Sequence, residues 1–227
     1  MFGGVQCLLR CQHETRPVLW RFDHLGFNPA DQTRFAFEVR WPGVVQTTLG
    51  ADYRVVEEGL SGRTVATESW VLPNRDGRAM LVPLLETHAP LDWVVLMLGT
   101  NDLGPSYKLT AQQISFGCAT LIWAVQKRFA GPGGSVPRVL LVAPPSFGAL
   151  KGMMTLFFGG SEEASKQLAR QYAIVADTNG AKYLDASRVV HACDIDGVHL
   201  DADGQRKLGI AITEIIASTD REVATRA

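Results

Sequence analysis

Leu91-Asp92-Trp93-Val94-Val95-Leu96-Met97-Leu98-Gly99-Thr100-Asn101-Asp102 decides the fold of this chain. The apolar run has the length and aliphatic character of a buried strand, and it breaks at Gly99 into small polar residues that open a loop. In open α/β sheets, ligands sit at the carboxyl ends of the strands, so this loop borders the candidate site.

Outward from that strand, further strand patterns at 53–56, 139–143 and 182–184 alternate with helical patterns at 41–49, 80–88, 111–129, 162–179 and 202–217. Such alternation predicts an α/β domain with a mainly parallel central sheet. Ser161 followed by Glu162 and Glu163 reads as an N-cap with an acidic first turn, and Asn179-Gly180 as the stop of the same helix. Residues 59–62, 99–102 and 144–147 each follow a strand, so their loops are expected to converge on one edge of the sheet. The apolar stretch Met153, Met154, Leu156, Phe157 and Phe158 reads first as core packing, with a pocket lining or the contact of a homo-oligomer as the other two readings.

With 227 residues, 46% of them apolar, the chain is large enough to bury a full core as one domain. Its 22 basic and 23 acidic residues give a net charge of −1 and no electrostatic footprint for nucleic acid or an anionic membrane. No apolar run approaches the roughly 20 residues of a membrane span. Residues 5–9 are interrupted by Arg10 before a signal-peptide core forms, which predicts cytoplasmic residence. Cys7 and Cys11 are spaced C-x3-C without a second ligand cluster, and Cys118 and Cys193 stand apart, so free thiols and no metal are expected. Small molecules or proteins are the expected partners.

Two strings carry chemistry. In Asp196-Gly197-Val198-His199 the carboxylate and imidazole are close enough along one turn for Asp196 to hold one ring nitrogen of His199 and leave the other for a nucleophile. The alternative is that both cap the last helix beside Asp201 and Asp203. Asn101 offers a neutral amide at a strand end, suited to a developing oxyanion, or else an ordinary Asx turn. Gly59-Leu60-Ser61-Gly62 places two glycines after a strand, where backbone N–H groups approach a ligand closely, or where a turn simply needs glycine.

In this order the strings resemble the arylesterase and acyltransferase branch of the SGNH (GDSL-type) serine hydrolases. Arg40-Trp41, residues 56–61, 98–102 and Val142-Ala143-Pro144-Pro145 all look like that branch, over about residues 34–209. The resemblance implies a three-layer α/β/α sandwich of flavodoxin-like type over residues 14–220, with 221–227 as a C-terminal tail and 1–13 as an unassigned, disordered N-terminus. It also implies His199 as base, Asp196 as its orienting acid, and Asn101 with Gly62 as oxyanion donors. No cofactor is needed for such chemistry, and a small-molecule ester is the implied substrate.

The Gly-Asp-Ser block that carries the nucleophile in this family is absent; residues 14–26 stand in its place. Read one base later, Trp20 followed by Arg21 forces a glycine codon, Arg21 into Phe22 permits aspartate, and Phe22 into Asp23 permits serine. The same frame permits the family's flanking residues on both sides. Block one is therefore expected to be translated out of frame, with the frame restored near residues 26–28. Ser61 and Ser146 are the other serines of the site loops, but neither sits on the turn after the first strand. The implied function is ester hydrolysis with the serine missing from this chain; the alternative is an inactive binding protein of the same fold.

Overall fold

The computed structural model describes residues 18–22, 26–69 and 72–225. Along the chain these form β1 (Val18–Phe22), a short ladder of β2 (Phe27–Asn28) with β3 (Thr33–Arg34), α1 (Trp41–Leu49), β4 (Arg54–Glu57), α2 (Gly77–His88), β5 (Trp93–Leu96), α3 (Ala111–Gln126), β6 (Arg138–Ala143), α4 (Met153–Phe158), α5 (Glu162–Thr178), β7 (Lys182–Asp185) and α6 (Ala202–Ala224). The main sheet runs β4-β1-β5-β6-β7 with every neighbouring pair parallel, while β2 and β3 pair antiparallel outside it.

Side chains alternate across a strand, so the run at 93–98 serves two cores. Trp93, Val95 and Met97, with Leu140 and Val142 of β6, pack against Trp41 and Val45 of α1 and Leu208, Ile212 and Ile216 of α6. Val94, Leu96 and Leu98, with Val139 and Leu141, face Leu81 and Leu85 of α2, Ile114, Leu121 and Val125 of α3, and Leu168 and Tyr172 of α5. Helices on both faces make the three-layer α/β/α sandwich and explain why the central strand carries no polar residue. Each such leucine or valine contributes about 1.5–3 kcal/mol by leaving water.

Helix boundaries follow their caps. Asp76 accepts from the amides of Arg78 and Ala79 at the start of α2, Thr110 and Gln113 form a reciprocal capping box on α3, and Asp201 accepts from Gly204 N on α6. Because Asp201 caps the last helix, Asp196 and His199 are not needed there. Ser161 departs from its expected N-cap role: its hydroxyl instead donates to the carbonyl of Leu103 at 2.6 Å, tying α5 to the loop after β5. The pattern at 111–129 stops as helix at Gln126, and α6 continues to Ala224, into the stretch expected to be a tail.

The 153–158 segment does not behave as ordinary core. It forms α4, burying Phe158 against Phe147 with ring centroids 5.1 Å apart, while Met153, Leu156 and Phe157 stay exposed. Among the described residues, no helix is long and apolar enough to cross a membrane. Cys7 and Cys11 lie outside the described residues; Cys118 and Cys193 are buried free thiols.

Candidate active site

Parallel pairing of all five strands brings the loops after β4, β5, β6 and β7 to one edge. The last of these carries Asp196 and His199. Asp196 Oδ2 lies 2.6 Å from His199 Nδ1, while Asp196 Oδ1 accepts from the amides of Val198 and His199 at 2.9 and 3.0 Å. One carboxylate thus fixes both the ring, through Nδ1, and the backbone that carries it. Burial alone would raise the Asp196 carboxyl, but the hydrogen bonds from the His199 ring and the two amides outweigh it and hold the group at about 2. It is therefore an anion at neutral pH, suited to orient an imidazole and to stabilise an imidazolium.

Gly197 makes that turn. Its φ is +79°, a left-handed conformation, and a Cβ there would lie 2.4 Å from the carbonyl oxygen of Ala149. Close approach lets Gly148 N donate to Gly197 O at 2.9 Å and Lys151 N donate to Asp196 O at 3.1 Å, so the loop after β6 supports the loop that holds the imidazole. On its other side the His199 ring meets Phe27, with centroids 4.6 Å apart. Cys193 Sγ approaches Asp196 Oδ1 at 3.8 Å.

After β5, Asn101 Nδ2 donates to the carbonyl of Arg63 at 2.8 Å, which leaves one amide hydrogen for another acceptor. The bond brings Asn101 beside the residue that follows Gly62, so the two oxyanion candidates are neighbours although far apart in sequence. Gly62 has φ +78°. Asp102, only 1% exposed, accepts from Val65 N with both carboxyl oxygens at 3.0 Å. Burial pushes its carboxyl up to about 7 against the lowering effect of that amide.

A cavity of about 40 Å³ lies against His199, lined also by Gly26, Phe27, Thr100 and Pro144. It joins the loop after β5 to the imidazole loop. A wider groove of about 840 Å³ between α1 and α6 lies at the opposite, amino-terminal edge of the sheet. Of the charged residues there, Glu214, Asp220 and Arg221, the second accepts from Tyr53 OH at 2.6 Å and Trp93 Nε1 at 3.0 Å and pairs with Arg138, a structural tie between α6 and the sheet.

Residues 14–17 and 23–25 of the expected nucleophile segment lie outside the described residues; between them, β1 runs between β4 and β5 with its carboxyl end at the site edge. Ser146 is turned toward Ser187, with the hydroxyls 3.3 Å apart, and Ser61 uses its carbonyl to accept from Arg75. Neither shows a contact with His199. Two contributors escaped the sequence reading: Phe27 against the imidazole, and the bond from Asp102 to Val65. The first had no local signal, and the second was concealed in a tetrapeptide that also reads as an Asx turn.

The sequence profile of GDSL-like lipases and acylhydrolases matches residues 26–207. The chain belongs to that family. This GDSL-like acylhydrolase is 34% identical to the native M. smegmatis aryl esterase, covering 89% of its own length and 99% of that chain at a TM-score of 0.85. A carbohydrate acetylesterase from Sinorhizobium meliloti is 32% identical over the same shares, also at 0.85. A lipolytic G-D-S-L family protein from Veillonella parvula, 12% identical at a TM-score of 0.64, shares the fold. No curated protein matches the GDSL-like chain. By family it is an ester hydrolase.

Proposed function

We propose that the catalytic scaffold of this chain hydrolyses short-chain or aryl esters through an acyl-serine intermediate, and that the chain as written lacks only the serine. The observation that carries this is the Asp196–His199 pair, bonded at 2.6 Å through Nδ1, with the imidazole lining a cavity at the carboxyl edge of the sheet. In the intact site, Nε2 takes the serine proton as the oxygen attacks the ester carbonyl. Asn101 Nδ2 and Gly62 N–H hold the resulting oxyanion. The C–O bond to the alcohol breaks as His199 returns the proton to it, and a water deprotonated by the same nitrogen then releases the acid. A second alcohol, or peroxide, reaching the acyl-serine before water would be acylated instead. The similarity to an aryl esterase and a carbohydrate acetylesterase supports the substrate class.

Support for out-of-frame translation of block one comes from the start of the family match at residue 26, where the frame is expected to be restored, so that the match excludes the nucleophile segment. Reading the gene tests it. The codons expected are CGA or AGA for Arg21 and TTC for Phe22, and any others at those positions overturn the frame argument. A recoded chain with Gly-Asp-Ser in the turn after β1 is expected to cleave an aryl acetate, His199→Ala in that background to abolish cleavage, and the chain as written to show none. Retention of the other site residues favours a recent loss over a dedicated binding protein. Activity in neither form favours the binding protein.

A further inference from the structure

We infer that Asp102 is a positioning residue for the oxyanion site: its buried carboxyl clamps the strand-like strap 63–65 to the loop after β5 and so sets the gap between Gly62 and Asn101. The inference rests on the proposed oxyanion roles of those two residues. Its physical basis is how each loop is held.

The loop after β5 is fixed from below by α5. Tyr172 OH donates to Leu98 O at 2.8 Å, Ser161 Oγ donates to Leu103 O at 2.6 Å, and Gly99, at φ +114°, leaves space that a Cβ would fill 2.2 Å from the Tyr172 hydroxyl. The strap 63–65 rests on α3 only through an apolar contact, the buried Val65 side chain against Gly117. It is held on its outer side by the start of α2, through Thr64 N to Arg75 O, Gly77 N to Thr64 O and Arg78 N to Val65 O, all at 3.0–3.2 Å. On its inner side, two bonds cross to the loop after β5: Asn101 Nδ2 to Arg63 O, and Val65 N to the two oxygens of Asp102. The first uses the same amide group that is assigned to the oxyanion. Without Asp102, one side chain would have to fasten the two loops and also meet the charge developing on the substrate.

Among the described residues, no cation is placed to compensate the carboxyl. The groups placed to act on it are the Cys118 thiol of α3, the Tyr172 hydroxyl of α5 and Asp76 at the cap of α2, none of which supplies positive charge. A buried carboxyl without a cation is costly, whereas an apolar residue of the same size carries no such desolvation penalty. What an apolar residue cannot do is accept the Val65 N–H, which would then be a buried donor without its partner. Acceptance by both oxygens also survives protonation of either one, so the clamp holds on both sides of neutrality.

In the recoded chain, Asp102→Ala is expected to lower kcat on an aryl acetate by roughly 10- to 100-fold with KM within about twofold, because misplaced donors act on the transition state rather than on the bound ester. Asp102→Asn, whose amide oxygen still accepts the N–H, is expected to restore most of kcat. If Asp102→Ala does not fold, Asp102→Ser, smaller but polar, takes its place. In the chain as written, hydrogen exchange at the Val65 amide is expected to quicken at least tenfold in the Ala or Ser variant and not in Asn. A folded Ala or Ser variant with unchanged kcat, or with unchanged Val65 exchange, overturns the inference. An inactive recoded chain defeats the proposed function alone, since Val65 exchange then decides the clamp.

Discussion

Gly197→Ala separates the geometry of the imidazole turn from its chemistry, and its cost follows from the coordinates. An alanine at φ +79° pays about 1 kcal/mol for the left-handed conformation. Its Cβ would stand 2.4 Å from Ala149 O and 2.9 Å from Leu150 N, both backbone atoms, so no side chain can rotate away. Relief requires the turn to withdraw from residues 148–151 by on the order of 1 Å, a scale at which hydrogen bonds of 2.9–3.1 Å lose their geometry. The two at risk, Gly148 N to Gly197 O and Lys151 N to Asp196 O, contribute about 1 kcal/mol each. The sum is about 3 kcal/mol, or a fall in Tm on the order of 10 °C for a domain of this size. Urea unfolding and thermal melts of the chain as written measure it directly. In the recoded chain the same displacement of His199 is expected to reduce kcat by about 100-fold. A Gly197→Ala chain with an unchanged unfolding midpoint would refute the close-approach argument, whatever its activity.

The Asp196 carboxyl, held at about 2 in the fold against an ordinary value near 3.8, stabilises the protein at pH 5 and above and loses that contribution as pH falls through 2. After allowance for solvent screening this amounts to about 1–2 kcal/mol, and Asp196→Asn is expected to remove that part of the acid sensitivity when urea midpoints are compared between pH 5 and pH 2. Asn101→Ala in the recoded chain should lower kcat by about 100- to 1,000-fold while leaving KM nearly unchanged, measured by initial rates on an aryl acetate. Leu85→Ala, at a site with 0% exposure between α2 and the sheet, should cost about 2–5 kcal/mol in urea unfolding of the chain as written.

Much of this molecule is legible from local pattern. The apolar run at 93–98 must be covered on both faces, and the alternation of strands with amphipathic helices leaves a parallel sheet as the way to cover it. Asp196 and His199 are also legible because their contact spans a single turn, and local geometry is written in local sequence. Ser161 was misread because an N-cap and a side-chain tie to a distant carbonyl use the same hydroxyl. The choice between them is made by Leu103 O, which no local window contains. The 153–158 segment was misread for a related reason: hydrophobicity registers a preference for burial, whereas exposure of Met153, Leu156 and Phe157 depends on what the rest of the chain leaves beside them.

The sequence by itself determined the layered α/β architecture, the pairing of Asp196 with His199, and the absence of Gly-Asp-Ser, since each depends on residue identity or on contacts within a few positions. Only the tertiary structure decided that Asn101 reaches Arg63, that Asp102 holds Val65, and that Phe27 lies against the imidazole. Those contacts join segments tens to well over a hundred residues apart. The order of strands in the sheet brings them together, and that order is set by the packing of the whole domain rather than by any stretch of it.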